Sequence, residues 1–308
     1  MSEKSTTLIT EILSDIKIIE DDESLYKETN FDRRAYAIDF IEFHVIDRIE
    51  TLVAAAEHQK DLEDLKVHAQ KVKAALEEID HTLFEHIREK IRSGALRGAA
   101  FRKIVQRYLG HYISDDPSLQ SAGYDNLDIF INGILYHQPL PEPTKPLQPE
   151  MVFYQKTPAR VVFDMADKAE LRPGDVFFDI GSGLGQVVIL TNLISNALAK
   201  GVEYEPAYCN YAVACADQLN LPEVELINSE AQIADYSKGT VFFMYTPFQG
   251  KMMDDVLNAL KKRSKKKIIK VFTYGPCSVQ VSAQRWLKRI SGDTEDAYAL
   301  CEFRSILN

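Results

Sequence analysis

Three glycines, an acid and two polar side chains share one short stretch, VFFDIGSGLGQVVIL (residues 176–190). Gly181, Gly183 and Gly185 let a backbone turn sharply and come close to a ligand. Amides at a helix start favour polar or anionic groups. Asp179, Ser182 and Gln186 complete the string D-x-G-S-G-x-G-Q. A glycine-rich strand-to-helix turn is also an ordinary tight turn, so spacing decides more than glycine count. The dinucleotide fingerprint wants its third glycine where Gln186 stands, which tilts the reading away from NAD. Glu203, in GVEYEP, is an acid ending the next strand-like run, where one carboxylate accepts both hydroxyls of a ribose. By itself it reads better as a solvated strand-end glutamate; together with the glycine loop upstream the ligand role overtakes that reading. In INSEAQI, Glu230 is placed to accept from an exocyclic amine and Ala231 to offer its amide to a ring, although strand-end acids are usually solvated.

Such groups need a scaffold that presents loops at one end of several strands. DVFFDI, AKGVEY, VELIN, TVFFMY and IIKVFTY are short runs rich in β-branched and aromatic residues. Helix-length segments lie between them, which predicts an α/β fold with a parallel sheet and crossover helices. RWLKRIS and YALCEFRSI are joined by only GDTEDA, too brief for a crossover, so the final pair is expected to be antiparallel. Upstream the period changes. Ile38, Ile41, Val45, Ile49 and Leu52 mark one amphipathic helix. Leu62, Leu65, Ala69, Val72, Leu76, Ile79 and Leu83 mark a longer, heptad-like one. Adjacent amphipathic helices more often close on each other than on a second chain, so an antiparallel bundle is favoured over a homodimer through these helices. Helices starting at 94 and 118 are expected to join that bundle. HQPLPEPTKPLQPE (137–150) holds five of the twelve prolines and reads as a linker. The expected organisation is a helical domain over 1–138, a linker over 139–150 and the α/β domain over 151–308.

Composition narrows the function. The chain has 308 residues, 45% of them apolar, and no apolar run long enough for a membrane span. Its N-terminus lacks a targeting pattern, so the cytoplasm is the expected location. A formal charge of −10 makes nucleic acid a poor expectation for the partner. Cys209, Cys215, Cys277 and Cys301 lack metal-ligand spacing and read as buried free thiols; no metal is expected. KKRSKKK (261–267) reads as a solvated helix end, and Arg97, Arg102, Lys103 and Arg107 as a solvated basic face.

In their order, VFFDIGSGLGQVV, GVEYEP, SEA and VFFMYTPF resemble the sequential motifs of the class I S-adenosylmethionine-dependent methyltransferases. The string DIGSGLGQ, preceded by YQKTPARVV, further resembles the lysine methyltransferase family called disruptor of telomeric silencing and its bacterial relatives. The resemblance spans roughly residues 149–250. It implies a Rossmann-like methyltransferase sheet, S-adenosylmethionine as cofactor, and a role for each matching residue. Tyr154 and Thr157 would serve the methionine end, and Asp179, Gly181 and Gln186 the amino-acid part, within the loop that also holds Ser182, Gly183 and Gly185. Glu203, beside Tyr204, would serve the ribose, and Glu230 with Ala231 the adenine. Lys156 stands where the family loop has a glutamate, and the family's histone-binding parts have no counterpart.

Methyl transfer is a direct displacement at a methyl carbon bonded to sulfonium, so alignment in a dry pocket does most of the work. All seven histidines lie between His44 and His137. The nucleophile is therefore expected to be activated by position and desolvation, as an amine is when an apolar channel disfavours its ammonium form. Methyltransferases of exocyclic amines carry Asn or Asp, then Pro-Pro-aromatic, at the end of the fourth strand. Here Tyr245 and Thr246 replace the first pair while Pro247 and Phe248 remain, which argues against adenine-type acceptors. Tyr245 is read as a wall whose hydroxyl orients the acceptor, with Thr246 beside it, and Phe248 as an apolar gate or as core. The expected acceptor is a protein side-chain amine, with a small molecule as the alternative. A non-catalytic cofactor-binding or dimerisation protein is a third reading, and an NAD-dependent oxidoreductase is disfavoured.

Overall fold

The computed structural model describes residues 3–55, 59–110, 124–136, 138–172 and 174–306. The chain forms two compact units, Met1–Ile87 with Val105–Gly110, and Arg88–Ile104 with His111–Asn308.

The first unit is helical. It contains α1 (Glu3–Glu20), α2 (Phe31–Phe40), a π-helical turn over Ile41–Ile46, α3 (Asp47–Ala55) and most of α4 (Gln59–Arg92). Ile12 and Ile16 of α1 and the stripe Ile41, Val45, Ile49 pack with Leu62, Leu65, Ala69, Val72 and Leu76 of α4 in one core. The heptad-like stripe is thus covered by helices of its own chain. Arg34 is fully buried against Asp80 at 2.6 Å and donates to the carbonyls of Leu25 and Lys27, so the charge is paired and bonded as burial demands.

The second unit is built on a sheet. Among the described residues it has seven strands: β1 (Val176–Ile180), β2 (Leu198–Glu203), β3 (Val224–Asn228), β4 (Val241–Tyr245), β5 (Lys270–Tyr274), β6 (Leu287–Ser291) and β7 (Cys301–Ser305). Their order is β3-β2-β1-β4-β5-β7-β6. The first five are parallel, and β7 runs antiparallel between β5 and β6. The antiparallel final pair is present, and the strand order is that of the Rossmann-like methyltransferase sheet. All five residues of β1 are buried, as in an interior parallel strand. Helices α7 (Ala159–Ala169), α8 (Gln186–Ser195), α9 (Pro206–Gln218), α10 (Gly250–Ser264) and α11 (Cys277–Ser282) flank the sheet. From Gln186 to Ile194 every residue of α8 is buried, so this helix runs through the interior.

The boundary differs from the expected one. The units part at Ile87/Arg88, and the proline-rich stretch lies inside the second unit. Helix α5 (Ala99–Leu109) is shared between the units, and α6 (Asn126–Leu135) packs on α7. Residues 118–123 of the helix expected from 118 lie outside the described residues; α6 begins at Asn126, capped by the Asp125 carboxylate on Leu127 N–H. Amphipathic periodicity located these helices but carried no information on which core they join. Arg97 and Arg102 are structural rather than free: Arg97 donates to the Asn220 carbonyl at 2.8 Å, and Arg102 pairs with Asp167 at 2.8 Å. The four cysteines are free and buried.

Candidate cofactor and acceptor site

Strand order reverses between β1 and β4, and in open α/β sheets a crevice forms beyond the carboxyl ends at such a point. A cavity lies there. It is lined by Tyr154, Thr157, Asp179, Gly181, Ser182, Gln186, Glu203, Tyr204 and Ala231 on one side and by Tyr245, Thr246, Pro247 and Phe248 on the other. Gly183, Gly185 and Glu230 are not among the residues that line it.

The loop after β1 is shaped by its own packing. Gly181, Gly183 and Gly185 all have positive φ, of 82°, 52° and 79°. A Cβ on Gly183 would strike the Tyr154 ring, one on Gly181 the Pro247 side chain, and one on Gly185 the Ala212 methyl group. The glycines therefore make room for neighbouring side chains. Gly201 of β2 plays the same part for Ser182, whose Oγ lies 2.6 Å from where a Cβ would stand.

Two carboxylates meet in this pocket. Asp179 is buried, and burial first, then the nearby Glu203 charge, pushes its pKa well up. Glu203 accepts from Gly183 N–H and from Glu205 N–H, each at 2.7 Å. Burial raises its pKa too, against the pull of those bonds. The carboxyl and amino groups of the lining are those of Asp179, Glu203, Glu205 and Lys145, whose ammonium is bonded to the Tyr204 carbonyl at 3.3 Å and lies 4.6 Å from the Tyr204 ring centroid. Such a cavity suits a ligand that is cationic and rich in hydroxyls and would repel a pyrophosphate. Ser182 Oγ and both amide atoms of Gln186 are buried with no hydrogen-bond partner. Buried polar atoms are normally satisfied, so these orphans mark where a polar ligand belongs. The residues present fit S-adenosylmethionine, which offers an ammonium, a sulfonium, ribose hydroxyls and acceptor atoms.

On the acceptor side, Tyr245 ends β4 with its ring against Tyr274, centroids 4.8 Å apart in an edge-to-face arrangement. Thr246 has φ of +37° and a committed hydroxyl, which donates to the Tyr274 carbonyl and accepts from Cys277 N–H, both at 3.2 Å. The hydroxyl holds the β4 and β5 loops together, so the expected acceptor-orienting role does not suit Thr246. Phe248 lines the cavity and is core at once: it is 3% exposed and belongs to the main apolar cluster.

Elements outside the expected set also contribute. Pro143, Lys145 and Leu147 of the proline-rich stretch, with Met151, Phe153 and Tyr208, complete the wall. Proline density marks an extended segment without telling a free linker from one laid against a surface. Lys156 faces away from the cavity wall, its ammonium 3.2 Å from Asn132 Oδ1 and 4.6 Å from the Tyr136 ring centroid, and burial lowers its pKa. The Gln148 side chain reaches Glu230 Oε1 at 3.4 Å. Among the described residues no cluster of His, Cys, Asp and Glu could hold a metal, and no helix is long and apolar enough to cross a membrane.

Residues 150–240 match the family described as histone methylation protein DOT1. No curated protein matches the sequence. Among solved structures, an RNA methyltransferase from Salinibacter ruber in complex with S-adenosyl-L-homocysteine aligns at 23% identity and TM-score 0.39, covering 49% of this chain and 92% of that one. The putative methyltransferase yhhF from Escherichia coli aligns at 15% identity and TM-score 0.42, covering 55% and 92%. Precorrin-6y C5,15-methyltransferase from Geobacter metallireducens aligns at 16% and 0.39, covering 50% and 90%. By this match the chain, over these residues, is similar to a methyltransferase family, DOT1.

Proposed function

We propose that the methyl acceptor is an amine on a protein side chain, of the lysine type. The observation that carries this reading is the match of residues 150–240 to a family described by histone methylation. The character of the acceptor side supports it: Tyr245, Pro247 and Phe248 bring aromatic and apolar surface and no ionised group. An amine entering such a wall loses hydration, which disfavours its ammonium form and frees the lone pair. Asp179, Ser182 and Gln186 would hold the amino-acid part of S-adenosylmethionine, Tyr154 and Thr157 its methionine end, Glu203 its ribose, and Glu230 and Ala231 the adenine side. When bound, the cofactor supplies a methyl group on sulfonium, open to direct displacement. The chain's own residues orient the acceptor through the Tyr245 hydroxyl, exclude water with Phe248 and Phe153, and hold both partners in line, which is where proximity gives most of its rate advantage.

Incubating the protein and a cell lysate with methyl-tritiated S-adenosylmethionine tests the reading. Label in a protein band, stable to base and recovered as methyl-lysine, is the expected result. Label confined to RNA or to small molecules would replace the acceptor class and leave the cofactor assignment standing.

A further inference from the structure

The proline-rich stretch is fastened along its length. At its start the Gln138 carbonyl accepts from Tyr211 Oη at 2.9 Å. At its end the Glu150 carboxylate accepts from Lys251 N–H at 3.0 Å and Met252 N–H at 2.7 Å, at the opening of α10. Between these anchors lie Pro143, Lys145 and Leu147, the residues that wall the cavity. Five prolines leave this segment few backbone donors, so apart from the Gln249 N–H that donates to the Glu150 carbonyl at 2.9 Å it is held chiefly through side chains.

Glu205 holds it. Thr144 Oγ1 donates to Glu205 Oε1 at 2.6 Å and Lys145 N–H to Oε2 at 2.7 Å, while Ala207 N–H donates to Oε1 at 2.9 Å and caps α9. The residue is only 6% exposed; burial pushes its pKa up, but these donors outweigh that and pull it down to about 2, so it stays ionised. The same residue's N–H donates to Glu203, whose other oxygen accepts from Gly183. One continuous chain of hydrogen bonds thus runs from strap to Glu205, to Glu203, to the glycine loop.

The geometry points to Glu205 as a positioning residue that latches residues 138–150 over the cofactor cavity and aligns Glu203, with cofactor exchange passing through release of the latch. This rests on the reading of the cavity as the S-adenosylmethionine site. Neither Glu205 nor Thr144 needs to touch the reacting atoms. The latch is one buried, threefold-bonded carboxylate; the strap's other contacts away from its ends are longer, Lys145 Nζ to the Tyr204 carbonyl at 3.3 Å and Gln148 Nε2 to Glu230 Oε1 at 3.4 Å. Breaking one of the bonds to the charged group therefore raises the population of the released state without unfolding either anchor.

Stopped-flow binding of S-adenosylhomocysteine to the full chain distinguishes a latch from a passive wall. Thr144→Val keeps the side-chain shape and removes one bond to a carboxylate, so association and dissociation rates should both rise about tenfold while the dissociation constant changes little. Thr144→Ser restores the donor and should return both rates to wild type. A faster dissociation with unchanged association would make the strap a wall only and overturn the inference, as would rates within twofold of wild type in a folded Thr144→Val. If the wild-type protein bound no S-adenosylhomocysteine, the reading of the cavity would fail, an outcome distinct from either of these.

Discussion

Replacing Glu203 by alanine tests the centre of the cofactor site. Its carboxylate holds two backbone amides at 2.7 Å, on Gly183 and Glu205, and faces the cavity between them. Truncation leaves both amides unpaired at the wall and removes the proposed acceptor for the ribose hydroxyls. A hydrogen bond to a charged group contributes about 1.5–3 kcal/mol, so losing the ribose bond alone weakens binding by about ten- to a hundredfold. Glu203→Gln should fall between, because one amide then meets an NH2 group rather than an oxygen. Isothermal calorimetry with S-adenosylhomocysteine gives the dissociation constants, and near-ultraviolet circular dichroism verifies the fold. The pH dependence has a definite sign. Burial raises the Glu203 pKa, so the ionised form needed for binding is lost on acidification at a higher pH than for an exposed glutamate. A folded Glu203→Ala that binds within threefold of wild type would refute the assignment of the ribose acid.

Tyr245→Phe should lower turnover about tenfold and leave the cofactor dissociation constant unchanged, as expected for a bond made chiefly in the transition state; single-turnover methyl transfer with parallel calorimetry measures both. Gly183→Ala adds a methyl group where the Tyr154 ring stands, at φ of +52°, and should lose cofactor binding by more than tenfold in calorimetry with a lowered melting temperature. Asp128 accepts from Ala159 N–H at 2.8 Å and Asp125 N–H at 3.1 Å, and burial lifts its pKa to about 6. Because the folded pKa exceeds the unfolded one, its contribution is fully present below about pH 4 and lost as pH rises through about 6. The stability difference between wild type and Asp128→Asn in urea unfolding should therefore shift against wild type by about 1–3 kcal/mol across that window.

Periodicity and turn chemistry made much of the fold legible. Alternating β-rich runs and helical segments specify the parallel sheet, because a strand buried on both faces is mostly apolar, and β1 is apolar at every position but Asp179. The six-residue connection GDTEDA dictates the antiparallel end, since it is too short to cross the sheet. The glycine loop and Glu203 were visible because positive φ and a strand-end acid are local demands. What lay outside local reach was partnership. Helix α6 carries the same amphipathic signal as the bundle helices yet packs on α7, a choice made by shape complementarity between distant segments. Thr246 and Tyr245 are adjacent polar residues in sequence; only the approach of β5, with the Tyr274 carbonyl and Cys277 N–H, commits one hydroxyl. The proline-rich stretch shows the same limit. Five prolines fix an extended backbone with few backbone donors, but its place as a cavity wall depends on Glu205, sixty residues from Lys145 in sequence, which turns two donors of that stretch into a buried, charged attachment.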